Sequence, residues 1–441
     1  MFKFKSEIMQ TLQERGFIYQ GTNIEHLDAL FCEKNVIGYI GFDATAPSLQ
    51  VGNLSAIMLL RWLQKFGHTP MVLVGGGTSR VGDPSFRQTA RPIMSLEKIQ
   101  SNIDGISRAF SHFLHFRPAD KAAAATTPSN VASTTSAAST TSNAAIFVNN
   151  ADWLTELRYV DFLRDYGSFF TVNRMLSFES IKLRLAKEEP LSFLEFNYMI
   201  MQAYDFYYLH EHFGCVLQMG GSDQWGNIVN GVELTRRLTG KEVFGLTAPL
   251  VTNATGEKMG KTASGAVWLN PDMCSPFDYW QFWRNTDDRD VGRYLRRFTD
   301  LPLSEIEKLE ELGGEEINEA KKVLADSTTA LLHGEEVLNE IHKASSALFG
   351  HAAGGVALGG AMPSCSVERG KVPISLAELF VLVGLCESRG DFKRMVLNRG
   401  VSLQGQVITD YGSVVTEEDF VKDGYVLLSA GKKRHIKVSV V

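Results

Sequence analysis

Tyr198, Gln202 and Asp205 stand at i, i+4 and i+7 within the segment EFNYMIMQAYDFYYL. On a helix that spacing puts a phenol, an amide and a carboxylate on one face. Aromatic and apolar residues flank them, and a carboxylate taken out of water needs a partner. Such a face suits a polar ligand; the alternative is a solvated stripe on a half-buried helix. A second stretch is Tyr39-Ile-Gly41-Phe-Asp43-Ala-Thr45, running on to Gln50-Val-Gly52-Asn53. A glycine loop between strand and helix lets backbone amides approach phosphate, and the helix dipole adds positive potential there. Thr45, Gln50 and Asn53 add neutral donors at that end. Met singly, such a loop is more often a structural turn with polar caps.

Two further glycine turns carry carboxylates. In Gly75–Arg87, the Gly82-Asp83-Pro84-Ser85 stretch offers Asp83 to a substrate ammonium, or simply opens an Asp-Pro turn. In Gly220-Gly221-Ser222-Asp223-Gln224-Trp225-Gly226-Asn227, Asp223 or Gln224 could bind a ribose or a small polar ligand, or merely close a tight turn. The last stretch is Lys258-Met259-Gly260-Lys261-Thr262. Two lysines on a glycine-flanked loop can clamp a triphosphate without being fixed in advance. Lysines met singly usually belong to a solvated basic loop.

Elements must hold these groups in place. Val36–Phe42 and Met71–Val74 read as buried strands bounded by glycine. Between them Met58, Trp62 and Phe66, with Leu59 and Leu63 alongside, predict a helix with a wide apolar face beginning near Gly52. Strand, glycine loop, helix and strand in that order make a βαβ unit on a parallel sheet. Ligands of such sheets lie beyond the carboxyl ends of the strands, where the Asp83 loop falls. Ile146–Asn149 is expected as a strand, followed by a helix-rich stretch to Phe213. Leu217–Met219 is expected as a strand feeding the second glycine turn. Residues 121–145 are nearly all Ala, Ser and Thr and cannot bury enough apolar surface to fold alone, so a mobile surface insertion is expected. Ser275–Phe349 is helical and heavily charged, Gly350–Cys365 reads as a linker, and the tail from Val372 ends in alternating segments with a basic cluster.

The chain has 441 residues, too many for one ordinary core, and 44% of them are hydrophobic, which excludes wholesale disorder. No run approaches the roughly 18 apolar residues of a membrane-spanning helix. The first residues read as an amphipathic helix without a signal core. Five scattered cysteines with no CxxC pair suit a reducing cytosol and offer neither a disulfide framework nor a zinc knot. The net charge of −6 argues, as a whole-chain average, against a nucleic-acid partner. No Ser/His/Asp or Cys/His set for covalent catalysis is visible.

Taken together, YxGFD, GSDQWGN and KMGKT occur in the order and spacing of bacterial tyrosyl-tRNA synthetases, class I enzymes with "HIGH" and "KMSKS" signatures. The chain resembles that family over nearly its whole length outside the Ala/Ser/Thr insertion. The resemblance implies an α/β fold: a Rossmann-like parallel-sheet catalytic domain (1–247), the lysine loop with an α-helical domain (248–350), a linker (351–371) and a small α+β RNA-binding domain (372–441). It implies activation of L-tyrosine by ATP, with Mg2+, to tyrosyl-adenylate, then transfer to the terminal ribose of tRNA(Tyr). A tightly bound metal or organic cofactor, an editing domain and a membrane are not expected; a cytoplasmic homodimer is.

By the same resemblance, Tyr39 and Asp205 hydrogen-bond the substrate phenol, and Asp83, Tyr198 and Gln202 hold its ammonium. Gly41, Asp43, Thr45, Gly52 and Asn53 face the nucleotide, with Gly221, Asp223 and Gln224 near its ribose and the tyrosine. Gln50, Lys258, Lys261 and Thr262 act on the phosphates. Gln50 stands where the family usually has His, and its amide can donate to a phosphate oxygen but cannot become cationic. In the tail, Arg389, Lys393, Arg394 and Arg399 are expected on a helix, with Lys432, Lys433 and Arg434 as a further basic cluster for RNA phosphates. The rival readings are a tryptophan ligase, against which the phenol pair argues, and an RNA-binding protein that has kept the fold but lost activation.

Overall fold

The computed structural model describes residues 3–83, 93–116, 143–262, 265–349, 364–421, 425–431 and 434–440. Contacts divide the chain into two units. One is residues up to Asn270 together with Asp287–Glu311; the other is Pro271–Thr286 with the chain from Leu312 onward.

The first unit is built on a six-stranded sheet of order β1-β6-β5-β2-β3-β4, with β1 Gln20–Gly21, β2 Ile37–Phe42, β3 Thr69–Val74, β4 Ile146–Asn149, β5 Leu217–Gly221 and β6 Phe244–Ala248. All pairings are parallel except β1 with β6. Every residue of β3 and of β6 is buried, and β3 accordingly reads as an apolar run without alternation. The chain winds outward through β2, β3 and β4, then returns and winds the other way through β5 and β6. The winding therefore reverses between β2 and β5. These two strands pair only at Gly38–Leu217 and Tyr39–Gln218. Beyond Tyr39 they part, and a crevice opens at their carboxyl ends.

The helix expected after Gly52 runs Leu54–Lys65, preceded by a single tight turn at Val51–Asn53. The long helix Phe193–Phe213 starts at a capping box in which Ser192 Oγ accepts from Glu195 N, and stops at Gly214 in the left-handed region, φ 68°. β5 runs two residues past the expected end, because Gly220 and Gly221 pair with Thr247 and Ala248. β6 and the short β1 carried no alternating pattern and were not expected.

The boundary expected at 247 falls inside the first unit. The stretch after β6 turns back onto the sheet. Val51 N donates to Val267 O and Leu269 N to Leu49 O, each at 2.9 Å, and Asn270 Nδ2 donates to Gly105 O at 2.9 Å. The insertion expected at 121–145 lies mostly outside the described residues. Its end is described: Gln64 Nε2 donates to Asn143 O at 3.0 Å, and Ala145 N to His115 O at 2.7 Å.

In the second unit, the helices Pro276–Arg284, Ile317–His333 and Glu336–Phe349 share a polar knot in which Asp326 Oδ1 meets Trp280 Nε1 and His342 Nε2, each at 2.7 Å. The tail forms a five-stranded sheet with helices Leu376–Leu382 and Arg389–Leu397 over a core of Leu379, Phe380, Phe392 and Val426. The expected linker is corrected here. Ser364–Val367 is a strand that pairs in parallel with residues 437–440, so this module starts before 372; residues 350–363 lie outside the described ones.

Candidate active site

A cavity of about 220 Å³ opens where β2 and β5 part. β2 contributes Tyr39 and Gly41, followed by Asp43 and Thr45; Asn53 comes from the turn before the next helix, Asp83 from the loop after β3, and Gln224 from the turn after β5. Tyr198, Gln202 and Asp205 all line it from the Phe193–Phe213 helix, as their spacing predicts.

At the inner end Asp205 is 1% exposed. Its Oδ2 accepts from Asn150 Nδ2 at 2.9 Å and its Oδ1 from Trp153 Nε1 at 2.7 Å. Burial pushes this carboxyl up to about 7, against the pull of those two hydrogen bonds. Each oxygen keeps a further lone pair. Tyr39, in the same pocket, is also 1% exposed, and its hydroxyl has no hydrogen-bond partner among the described residues. Burial and the nearby Asp205 charge hold that phenol well above its ordinary range, so it stays protonated.

Toward the mouth the polar groups are chained together. Tyr198 Oη donates to Asp43 Oδ2 at 3.1 Å, and Thr78 Oγ1 donates to Asp43 Oδ1 at 2.8 Å. A Cβ at position 75 would collide with the Asp43 carboxylate, so glycine there permits this approach. Gln224 Nε2 donates to Asp83 Oδ2 at 2.9 Å, and Asn227 Nδ2 donates to Gln202 Oε1 at 3.0 Å and Gln224 Oε1 at 3.2 Å. Asp223 is raised by burial, with the Lys258 charge pulling the other way, which places that lysine's field on the β5 turn.

The two signature stretches meet through backbone. Gly260 has φ 95°, and a Cβ there would stand 3.0 Å from Gly52 N; one on Gly52 would stand 2.9 Å from Met259 O. Glycine at both positions lets the lysine loop lie against the turn before the Leu54–Lys65 helix. Gln50 does not line the cavity: its backbone bridges to Trp268, and its N donates to Asn53 Oδ1 at 2.9 Å. Lys261 and Thr262 pair in antiparallel fashion with Ala266 and Gly265. Pro84 and Ser85 lie outside the described residues.

In the tail, Arg389 pairs with Glu378, Arg394 with Asp391 at 3.2 Å, and Lys393 Nζ sits 4.6 Å over the Tyr411 ring. Arg399 is not on the helix, which ends at Leu397; it adopts φ 53° in the following turn. Arg434 opens the strand Arg434–Val440, and Lys432 and Lys433 lie outside the described residues.

Sequence reasoning missed Asn150 and Trp153. IFVNN read as a strand end, yet Asn150 ties the loop after β3 to the helix: its Oδ1 accepts from Gly77 N at 2.8 Å while its Nδ2 reaches Asp205. The doubled asparagine was the available signal, since asparagine side chains readily bond nearby backbone.

The chain is similar to known proteins over its whole length. The model of "tRNA synthetases class I (W and Y)" matches residues 33–350, and that of a "Tyrosine--tRNA ligase SYY-like C-terminal domain" matches 357–438. A tyrosine--tRNA ligase of Rhodospirillum rubrum is 52% identical over 439 residues, 99% of each chain, and one of Zymomonas mobilis is 50% identical over 437 residues, 99% of this chain and 98% of the other. Among solved structures, a C-terminally truncated mitochondrial tyrosyl-tRNA synthetase of Aspergillus nidulans aligns with TM-score 0.66 at 30% identity, covering 78% of this chain and 95% of that one. The synthetase of Archaeoglobus fulgidus, at 18% identity, shares the fold with TM-score 0.53 over 75% of this chain and 99% of that one. With relatives about half identical over 99% of its length and two family models matching residues 33–350 and 357–438, the chain belongs to the tyrosine--tRNA ligases of class I.

Proposed function

We propose that the cavity between β2 and β5 is where this ligase activates L-tyrosine, with Tyr39 and Asp205 on the phenol. The observation that carries this reading is the Tyr39 hydroxyl, buried without a hydrogen-bond partner among the described residues, in the same pocket as the Asp205 carboxylate. An orphaned buried hydroxyl costs stability, and a bound phenol would supply its missing partner. A phenol hydroxyl donates one hydrogen bond and accepts another. Asp205 offers the acceptor and Tyr39 the donor, so phenylalanine would leave both unpaired. Asp83, Tyr198 and Gln202 lie nearer the mouth, where acceptors suit the ammonium.

The tyrosine carboxylate would then attack the α-phosphorus of ATP. A carboxylate oxygen–phosphorus bond forms, the bond to the β-phosphate bridging oxygen breaks, and pyrophosphate leaves with the electron pair. No enzyme nucleophile is needed, so catalysis comes from positioning and from charge placed around the phosphoryl group. Gly41, Asp43, Thr45, Gly52 and Asn53 would border the nucleotide, and Gly221, Asp223 and Gln224 its ribose. Lys258, Lys261 and Thr262 would close over the pyrophosphate, with Gln50 holding the turn they close on. Among the described residues no group of three His, Cys, Asp or Glu is arranged for a metal. We take Mg2+ as part of the substrate, carried on the ATP phosphates.

Transfer to tRNA(Tyr) would follow, with Arg389, Lys393, Arg394, Lys432, Lys433 and Arg434 of the tail contacting RNA phosphates. Five free cysteines fit a cytoplasmic setting, and no helix among the described residues is long and apolar enough to cross a membrane. Exposed Tyr159, Val160, Val172 and Phe193 support a homodimer. ATP–pyrophosphate exchange tests the central reading: exchange is expected with tyrosine, while exchange with tryptophan instead would sink the specificity and no exchange would sink the activation site.

A further inference from the structure

The hairpin that ends in Lys258 is gripped by a helix the proposed chemistry does not use. Thr252 and Lys258 form an antiparallel bridge, and Asn253 closes the turn between them: Asn253 N donates to Glu257 O at 2.8 Å, and Asn253 Oδ1 accepts from Glu257 N at 2.8 Å. The turn's outer amide and carbonyl are taken by residues 36 and 41 positions further along the chain. Ala254 N donates to Asp290 Oδ2 at 2.7 Å. Arg293 Nη2 donates to both Asp290 Oδ1 and Thr252 O, each at 2.5 Å. Further along the same helix, Val291–Phe298, Arg297 Nη1 donates to Pro249 O at 3.0 Å, where the chain leaves β6.

Asp290 occupies the N-cap position of that helix, yet its side chain makes no cap bond to the helix it precedes. An N-cap aspartate ordinarily satisfies its own helix's first amides; this one turns outward to a loop. It is 3% exposed, and a buried carboxylate is unfavourable unless paired. Its two partners, Ala254 N and Arg293, both bear on the Thr252–Lys258 hairpin.

We propose that Asp290 is a positioning residue for the lysine loop: by holding Ala254 N, and Arg293 on Thr252 O, it sets the hairpin so that Lys258 meets the triphosphate. This rests on the reading that the loop closes over the pyrophosphate. Asp290 touches neither substrate, so its removal acts through Lys258, on rate and not on tyrosine affinity.

The test is ATP–pyrophosphate exchange on the full chain with Asp290→Ala, Asp290→Asn, Lys258→Ala and the Asp290→Ala/Lys258→Ala double variant. Asp290→Ala is expected to lower kcat about tenfold or more, with the tyrosine KM within about twofold of the parent. Asp290→Asn keeps an acceptor for Ala254 N and is expected to recover most of that loss with the parent's melting temperature. In the double variant, Asp290→Ala should add less than about threefold to the loss from Lys258→Ala, since both act through one group. An unchanged kcat in Asp290→Ala, or an equal fold-loss on both backgrounds, overturns the proposal. If Lys258→Ala itself leaves exchange unchanged, the reading of the loop fails and the proposal with it.

Discussion

Asp205 and Tyr39 are held differently, and the difference predicts their variants. Asp205 has two fixed donors in Asn150 and Trp153, whereas the Tyr39 hydroxyl has none among the described residues. Removing an unsatisfied buried hydroxyl relieves about 1–3 kcal/mol. Tyr39→Phe should therefore melt no lower than the parent, while kcat/KM for tyrosine falls about tenfold to a hundredfold and discrimination against phenylalanine weakens. A calorimetric melt beside steady-state kinetics checks both halves. The Asp205 carboxyl, raised to about 7 by burial, gives a second outcome. Its ionised form is the stronger acceptor for the phenol's hydrogen bond. As pH rises through about 7, kcat/KM for tyrosine should climb and then level, and Asp205→Asn should lose that inflection. The stability sign is the opposite. An unfolded aspartate ionises near 3.9 and the folded one near 7, so this group's contribution is full below about 4 and is lost as pH rises to about 7.

At the scale of elements, the parting of β2 and β5 after Tyr39 makes the site, and the lysine loop is laid on it by glycine. Gly260→Ala would force a side chain into φ 95° within 3.0 Å of Gly52 N. The strain is about 1–2 kcal/mol, and the loop can escape it by lifting off the turn. Exchange should slow about tenfold with tyrosine binding, followed by fluorescence titration, unchanged; a shift in tyrosine affinity instead would place the loop's role elsewhere. The βαβ unit was legible because β2 and β3 are short apolar runs bounded by glycine and the Leu54–Lys65 helix between them has a wide apolar face. Neither β6 nor β1 was: Gly245 and Thr247 break the apolar run of β6, and β1 is only two residues long.

Across the whole molecule, the net charge of −6 is an average that does not describe local groupings of lysine and arginine. The tail carries Arg389, Lys393 and Arg394 on one helix, and the two arginines are paired with Glu378 and Asp391, carboxylates with which an RNA phosphate would compete. Truncation after Phe349 is expected to leave exchange within about twofold of the parent, and to weaken tRNA charging about tenfold or more with a shallower dependence on salt. Charging at two salt concentrations decides it. The sequence by itself determined the family, the βαβ start of the catalytic sheet and the helical face of Tyr198, Gln202 and Asp205, because these are written in local spacing and in motifs along the chain. Tertiary structure alone decided that Asn150 and Trp153 hold Asp205, that the chain from Pro249 to Asn270 belongs with the sheet, and that Asp290 grips the lysine hairpin. Each of these joins residues tens of positions apart through hydrogen bonds to backbone or buried polar atoms, and such pairings leave no periodicity for a sequence to show.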